Sequence, residues 1–156
     1  MSAPPEILQL AMQSLPHGPE FRFVDRMVSL TPGVKGEGEY HVRGDEYFLR
    51  GHLPGEPIFP GVLMVEAAAQ VAGMVAQEDP ANPRWLRLKL TALRAVKILG
   101  TVRPGETLQI KASITACLGA LIQAQVSAFV GDNLILSADV ALSSADPVEN
   151  HDRNSV

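Results

Sequence analysis

RGHLPGEPIFPGVLMVEAAAQVAGMVAQ, residues 50–77, is the stretch whose reading decides the fold. Its first half is a loop: Gly51, Gly55, Pro54, Pro57 and Pro60 punctuate it, and each proline locks its own φ and stiffens the chain. His52 sits inside that stiffened segment. The second half, Gly61 to Gln77, has 12 apolar residues among 17, spread over every side of a helical wheel. A helix apolar all round is buried all round, and Asp79-Pro80 stops it. One carboxylate, Glu66, interrupts the apolar run, with Gln70 one turn further on.

A helix of that kind needs cover on every face, and the flanking sequence supplies strands. Phe21 to Leu30 alternates loosely and ends at Thr31-Pro32-Gly33, with Val34 to Arg43 as its antiparallel partner. Gly44 to Pro60 is a loop of the length that is usually functional. Beyond the helix, Trp85 to Leu99, Thr107 to Leu118, Leu121 to Val130 and Leu134 to Leu142 read as strands joined by short turns, an antiparallel meander. Pro4-Pro5-Glu6 opens a short N-terminal helix with Ile7, Leu8, Ala11 and Met12 on one face. The expectation is a single α+β domain over residues 1–143, five or six antiparallel strands wrapped around a buried helix. A polar, disordered tail is expected over 144–156. One sheet cannot cover the ends and outer side of such a helix, so a second subunit is expected.

Composition narrows the classes. A chain of 156 residues suits one domain with a real core. Cys117 is the single cysteine, so no internal disulfide forms, which fits a reducing, cytoplasmic setting. The N-terminus lacks the basic and apolar regions of a secretion signal, and Val62 to Ala76, broken by Glu66 and Gln70, is too short for a bilayer span. Net charge is −4, yet Arg84, Arg87, Lys89, Arg94, Lys97 and Arg103 form a run with no acid from Pro80 to Gly105. That leaves seven basic residues against all 17 acidic ones elsewhere. A positive patch on an acidic protein suits an acidic macromolecular partner, or else guards a strand edge against aggregation. Nucleic acid is not the expected partner, with one Trp, two Tyr and no basic–aromatic interleaving. His17, His41, His52 and His151 lack metal-ligand spacing, so no metal site is expected.

The same stretch carries a chemistry. Eliminating water from a 3-hydroxyacyl thioester requires a base for the weakly acidic Cα proton, an acid for the leaving hydroxide and a donor for charge gathering on the thioester oxygen. His52 has the intrinsic basicity for the first role. Glu66, in apolar surroundings that favour its neutral form, suits the second. Gly61, at a helix N-terminus where backbone N–H groups stand unpaired, suits the third. Each has a plainer reading: His52 as a loop residue, Glu66 as a structural partner of Gln70, the prolines as a brace.

Those residues fall into a recognisable order. Leu15-Pro16-His17 precedes Val24-Asp25-Arg26; then come Gly51-His52-Leu53-Pro54-Gly55-Glu56-Pro57, Pro60-Gly61-Val62-Leu63, Glu66-Ala67 and Ala69-Gln70, with a later Pro104-Gly105-Glu106 turn. From Leu15 to Ser143 the chain resembles the (3R)-hydroxyacyl-[acyl-carrier-protein] dehydratases, whose fold is a hot dog. The resemblance implies a dehydratase giving a trans-2-enoyl thioester of acyl carrier protein, without cofactor. It implies His52 and Glu66 as catalytic pair, with Gly61, Val62, Phe59 and Gln70 around the oxyanion and substrate. It also implies a homodimer in which Glu66 serves the other chain's His52; such dimers assemble further into hexamers. Glu66, where the related dehydratase/isomerases carry Asp, favours the plain dehydratase.

The chain departs from the pattern in places. Leu53 and Ile98 stand where Phe is usual, and Arg84 to Lys97 lacks the family's Tyr-rich segment, with Leu90, Leu93 and Arg94 in its place. Arg94 and Lys97 are the expected docking residues for the carrier. Two other functions fit the pattern less well: a hot-dog thioesterase, for which His52 would be surplus, and a non-catalytic acyl-binding partner in a synthase complex.

Overall fold

Two helices and six strands build the computed structural model, which describes residues 2–82 and 87–144. In chain order they are α1 (Pro5–Ser14), β1 (Arg26–Thr31), β2 (Lys35–His41), α2 (Gly61–Gln77), β3 (Lys89–Ile98), β4 (Thr107–Leu118), β5 (Leu121–Val130) and β6 (Asn133–Ser143). Helix α2 occupies the expected span, and every residue from Met64 to Ala76 except Glu66 is buried. The strands form one antiparallel sheet in the order β1-β2-β4-β5-β6-β3, curled around α2 in the hot-dog arrangement. Arg84 and Trp85 lie outside the described residues, as does the tail from 145 onward.

The helix sits mainly against β4, β5 and β2. On β2 the sequence makes room for it with glycine. A Cβ at Gly36 would lie 2.7 Å from Val75 Cγ2, and one at Gly38 would lie 3.0 Å from Val71 Cγ2. Leu108, Ile110, Ile122 and Leu136 come from the inner faces of β4, β5 and β6 and are fully buried. Each such side chain contributes about 1.5–3 kcal/mol by leaving water. Helix α1 starts at Pro5, where the missing N–H is no loss, and buries Ala11 with Ile7, Leu8 and Met12 packed around it.

Two expectations need correction. Strands β4, β5 and β6 form a meander, but β3 does not precede β4 in space; it crosses to the far edge and pairs only with β6, from Lys89↔Ser143 to Ile98↔Leu136. The link from β3 to β4 is no hairpin, because its hydrogen bonds go elsewhere: Leu99 N–H donates to Ile135 O, and Val102 O accepts from Phe59 N–H. The first strand starts at Arg26 rather than Phe21. Pro19–Phe21 form a 3-10 turn, and Phe23 N–H donates to the Gln70 side chain instead of a ladder partner.

Strand β3 is exposed at every position. Its pairing with β6 slips by one residue between Leu90 and Ala92 and again between Arg94 and Lys97, where Ala95 takes a φ of 52°. These bulges shift side-chain alternation. Leu90, Leu93 and Ile98 face Leu142, Val140 and Leu136 on the helix side, whereas Lys89, Arg94 and Lys97 face Ser143, Asp139 and Ser137 on the outer side. The inward leucines and isoleucine are nevertheless 37–49% exposed. Among the described residues no helix is long and apolar enough to cross a membrane.

Candidate active site

The loop that carries His52 is tied down before it reaches the histidine. Glu46 accepts hydrogen bonds from the N–H groups of Arg43 (2.7 Å) and Gly44 (2.8 Å) and from the buried Tyr40 hydroxyl (3.1 Å). Burial alone would raise the Glu46 carboxyl, but these donors outweigh it and hold the group below its ordinary value. Burial, with Glu46 close by, pushes the Tyr40 hydroxyl far up. Gly44 and Gly55 turn the loop with positive φ, and Leu53 adopts φ 49°, a strained conformation for a residue with a side chain. His52 is half-buried, and its Nδ1 lies 3.1 Å from Ile58 O. A carbonyl only accepts, so the proton of the neutral ring sits on Nδ1 and Nε2 keeps its lone pair.

Phe59 then plugs the loop into the core. It is 1% exposed, packs against Phe23, Tyr40 and Phe48, and gives its N–H to Val102 O. Expected beside the substrate, Phe59 is an anchor instead, with neither side chain nor N–H turned to a ligand. At the start of α2, Leu63 and Met64 both donate to Pro60 O, and no side chain caps the helix. The N–H groups of Gly61 and Val62 are left without a protein acceptor among the described residues. The Val62 side chain is 74% exposed. A Cβ at Gly61 would lie 2.8 Å from Ile98 Cδ1, so a side chain there would have to push aside the tip of Ile98 on β3.

One and a half turns along the helix, Glu66 is held by two donors on a single oxygen. Its Oε1 lies 3.1 Å from His17 Nε2 and 3.0 Å from Gln70 Nε2. Oε2 is left for a substrate. The Glu66 side chain is 19% exposed rather than fully buried, since it opens onto a cleft of about 560 Å³. Gln70, expected at the substrate, is a brace: Oε1 accepts from Phe23 N–H at 3.0 Å, and Nε2 gives its two hydrogens to Phe21 O at 2.8 Å and to Glu66. Sequence reasoning gave His17 no role. The structure places it over Phe21, fixed by Arg22 Nε donating to His17 O at 2.7 Å, with its buried Nδ1 unpartnered. The only signal for it was the Leu15-Pro16-His17 run.

His17, Glu66 and Gln70 line the cleft together; His52 and Gly61 do not. The described residues therefore form two separate groups, one with the oriented His52 and the open N–H groups at the start of α2, the other with a braced carboxylate above a groove. Among the described residues no group of three His, Cys, Asp or Glu side chains could hold a metal ion.

The model of the FabA-like domain family matches residues 15–139. The 3-hydroxyacyl-[acyl-carrier-protein] dehydratase FabZ of Chloroflexus aggregans is 34% identical over 142 residues, 91% of this chain and 98% of that protein. FabZ of Alkaliphilus metalliredigens is 36% identical over 133 residues, 85% and 90% of the two chains. Among solved structures, the dehydratase heterocomplex ApeI:P from Xenorhabdus doucetiae superposes with a TM-score of 0.72 at 15% identity, covering 89% of this chain and 93% of that one. Zebra fish thioesterase superfamily member 2 gives 0.67 at 16%, covering 89% and 96%. Both likenesses speak for the fold alone.

Proposed function

This chain belongs to the FabA-like family and is a hydro-lyase of the 3-hydroxyacyl-[acyl-carrier-protein] dehydratase kind, and on that premise we propose how its residues carry the reaction. His52 Nε2 takes a proton from Cα of the (3R)-3-hydroxyacyl thioester. The freed electron pair becomes the Cα–Cβ double bond as the C3–O bond breaks. Glu66, in its acid form, gives its proton from Oε2 to the departing hydroxyl, and water leaves. Charge gathering on the thioester oxygen is met by the uncapped Gly61 N–H at the positive end of α2. His52 returns its proton to Glu66 through solvent before the next turnover.

The observation that carries this reading is that each group is already committed at one atom and open at the other. His52 Nδ1 is bound to Ile58 O, and Glu66 Oε1 is bound by His17 and Gln70. Structural pairs have no need of such one-sided arrangements. The thioesterase reading gains no specific support, because it leaves the oriented His52 without a task.

The two groups meet if two chains pair along β3. That edge is long and open, and it is apolar on its helix side, a surface that natural proteins cover. Two-fold pairing of antiparallel β3 strands sets the Ile98 end of one chain beside the Lys89 end of the other. Ile98 touches the Gly61 position, and Leu90 lines the Glu66 cleft. His52 and Gly61 of one copy thus arrive at Glu66 of the second, and the half-covered Leu90, Leu93 and Ile98 are buried. Arg94 and Lys97 on the outer face receive the acidic carrier protein, and a cytoplasmic site of action follows from that substrate.

One assay tests the function. The protein is incubated with 3-hydroxyacyl- and crotonyl-acyl carrier protein while enoyl absorbance and free thiol are followed separately. Reversible interconversion without thiol release is the expected result. Thiol release overturns it in favour of a thioesterase, and no turnover in favour of a binding role.

A further inference from the structure

Along α2 the cleft extends from Glu66 toward the C-terminal end of the helix. Its lining on α2 is Glu66, Ala69, Gln70, Gly73 and Gln77, a single helical stripe that starts at the carboxylate and continues toward the C-terminus. Leu88, Leu90 and Leu142 form the apolar part of the facing wall, with Arg87 and Lys89 lining the cleft beside them. A trough that begins at the group proposed to protonate the C3 oxygen and continues past Ala69 and Gly73 opposite leucines is a path for the part of the substrate beyond C3. Two features along it bear on length.

The first is Gly73. A Cβ there would first meet Leu142 Cδ1 at 3.9 Å and Gln77 Oε1 at 4.0 Å, ordinary contacts, so packing does not demand glycine at this position on the cleft lining and a larger side chain would fill the trough. The second is Gln77. Its Nε2 donates to Ser14 O at 2.9 Å, which fixes the amide and leaves Oε1 on the Gly73 side. A methyl terminus pushed against that oxygen would strip it of water and offer no hydrogen bond in return. Helix rise puts Gly73 about 10 Å and Gln77 about 16 Å beyond Glu66, and an extended acyl chain advances about 1.3 Å per carbon. About eight carbons past C3 reach Gly73, and about twelve reach Gln77 by the same rise.

Resting on the dehydratase reading, we infer that Gly73 and Gln77 set the acyl-chain length this enzyme accepts, with Gly73 holding the path open past about C11 and Gln77 closing it near C14–C16. Gly73 acts by absence of a side chain, and Gln77 by the polarity of a fixed amide oxygen.

The test is steady-state kinetics of the full chain on 3-hydroxyacyl-acyl carrier proteins from C4 to C16, read as the ratio of kcat/KM at each length to that at C4 within each variant. Gly73→Leu should lower the C14/C4 ratio by about 30-fold, since even single methylenes in a tight apolar pocket discriminate by tenfold or more. Gln77→Leu should raise the C16/C4 ratio by about tenfold, and serves if Gly73→Leu fails to fold. Folded, active variants with the wild-type length profile, or with every length reduced alike, overturn the length limit while leaving the dehydratase reading standing. A wild-type protein inactive at every length overturns that reading and the limit with it.

Discussion

Replacing His17 by Ala isolates one contact in the cleft, the 3.1 Å approach of its Nε2 to Glu66 Oε1. With Glu66 in its acid form the bond is a neutral one, worth about 0.5–1.5 kcal/mol, and its upper bound of about 1.5 kcal/mol sets the largest effect expected. If all of it serves to aim Glu66, kcat falls by up to about tenfold, at 1.36 kcal/mol per decade. KM should move little, since the acyl tail is held elsewhere in the cleft. His17→Gln, which keeps an N–H at similar reach, should recover most of the loss. The deciding measurement is a double-mutant cycle: on a Glu66→Gln background His17→Ala should add almost nothing, because it acts through the carboxylate already removed. Independent, multiplying losses, or a loss confined to KM, would refute the positioning role. Stability should change little, since the substitution removes packing on Phe21 but also removes a buried ring nitrogen with no partner.

Four further outcomes are expected. His52→Ala and Glu66→Gln should each lower dehydration by about 100-fold or more, and mixing the two under subunit exchange should restore part of the activity; failure to do so with exchange proven removes the shared site. Gly61→Ala pushes a Cβ against Ile98, so pairing it with Ile98→Ala should relieve the defect, whereas Gly61→Pro, which deletes the N–H, should not be relieved by any trimming of β3. Glu46 has a lowered folded-state pKa, so its contribution to stability is present above the unfolded value of about 4.3 and fades as pH falls through the folded value. Glu46→Gln should therefore lower Tm at neutral pH and match wild type at strongly acid pH, a gap that thermal melts across pH will show or deny. Charge reversal at Arg94 and Lys97 should raise KM for acyl-carrier-protein substrates in a salt-dependent way and leave a short N-acetylcysteamine thioester unaffected.

The helix, most of the strands and the candidate residues His52, Gly61 and Glu66 could be singled out from the sequence because they are local statements. An all-round apolar run has one structural meaning, and a histidine among prolines ahead of a lone helical acid has few chemical ones. What escaped depended on partners distant in sequence. The position of β3 hinged on where the backbone groups of Leu99 and Val102 found partners, and those lie on β6 and ahead of α2. Gln70 lines the cleft, but its amide is spent on Phe21, Phe23 and Glu66, and Phe59 is packed into the core; neither engagement was visible in the sequence. A glutamine amide is free or saturated according to loops folded over it, here Phe21 and Phe23. His17 was in view as part of a motif, yet nothing local tells a loop histidine that it will meet a carboxylate on another element.

Strand β3 shows how much depends on a single inserted residue. Arg94 and Lys97 are three apart, so strict alternation would send them to opposite faces, and one of them into the helix side of the sheet. The bulge at Ala95 adds one residue between them, and both end opposite outer-face residues of β6, Arg94 against Asp139 and Lys97 against Ser137. The earlier bulge does the same for Lys89 relative to Arg94. Without these slips the apolar positions Leu90, Leu93 and Ile98 could not share the inner face either. The strand thus separates its two tasks by backbone geometry. Its inner side is apolar and its open edge carries unpaired backbone groups, both suited to the proposed second copy, and its outer side is basic and would remain free in that pairing. A carrier protein docking on the outer face would not compete with dimer formation, although both depend on the same ten residues.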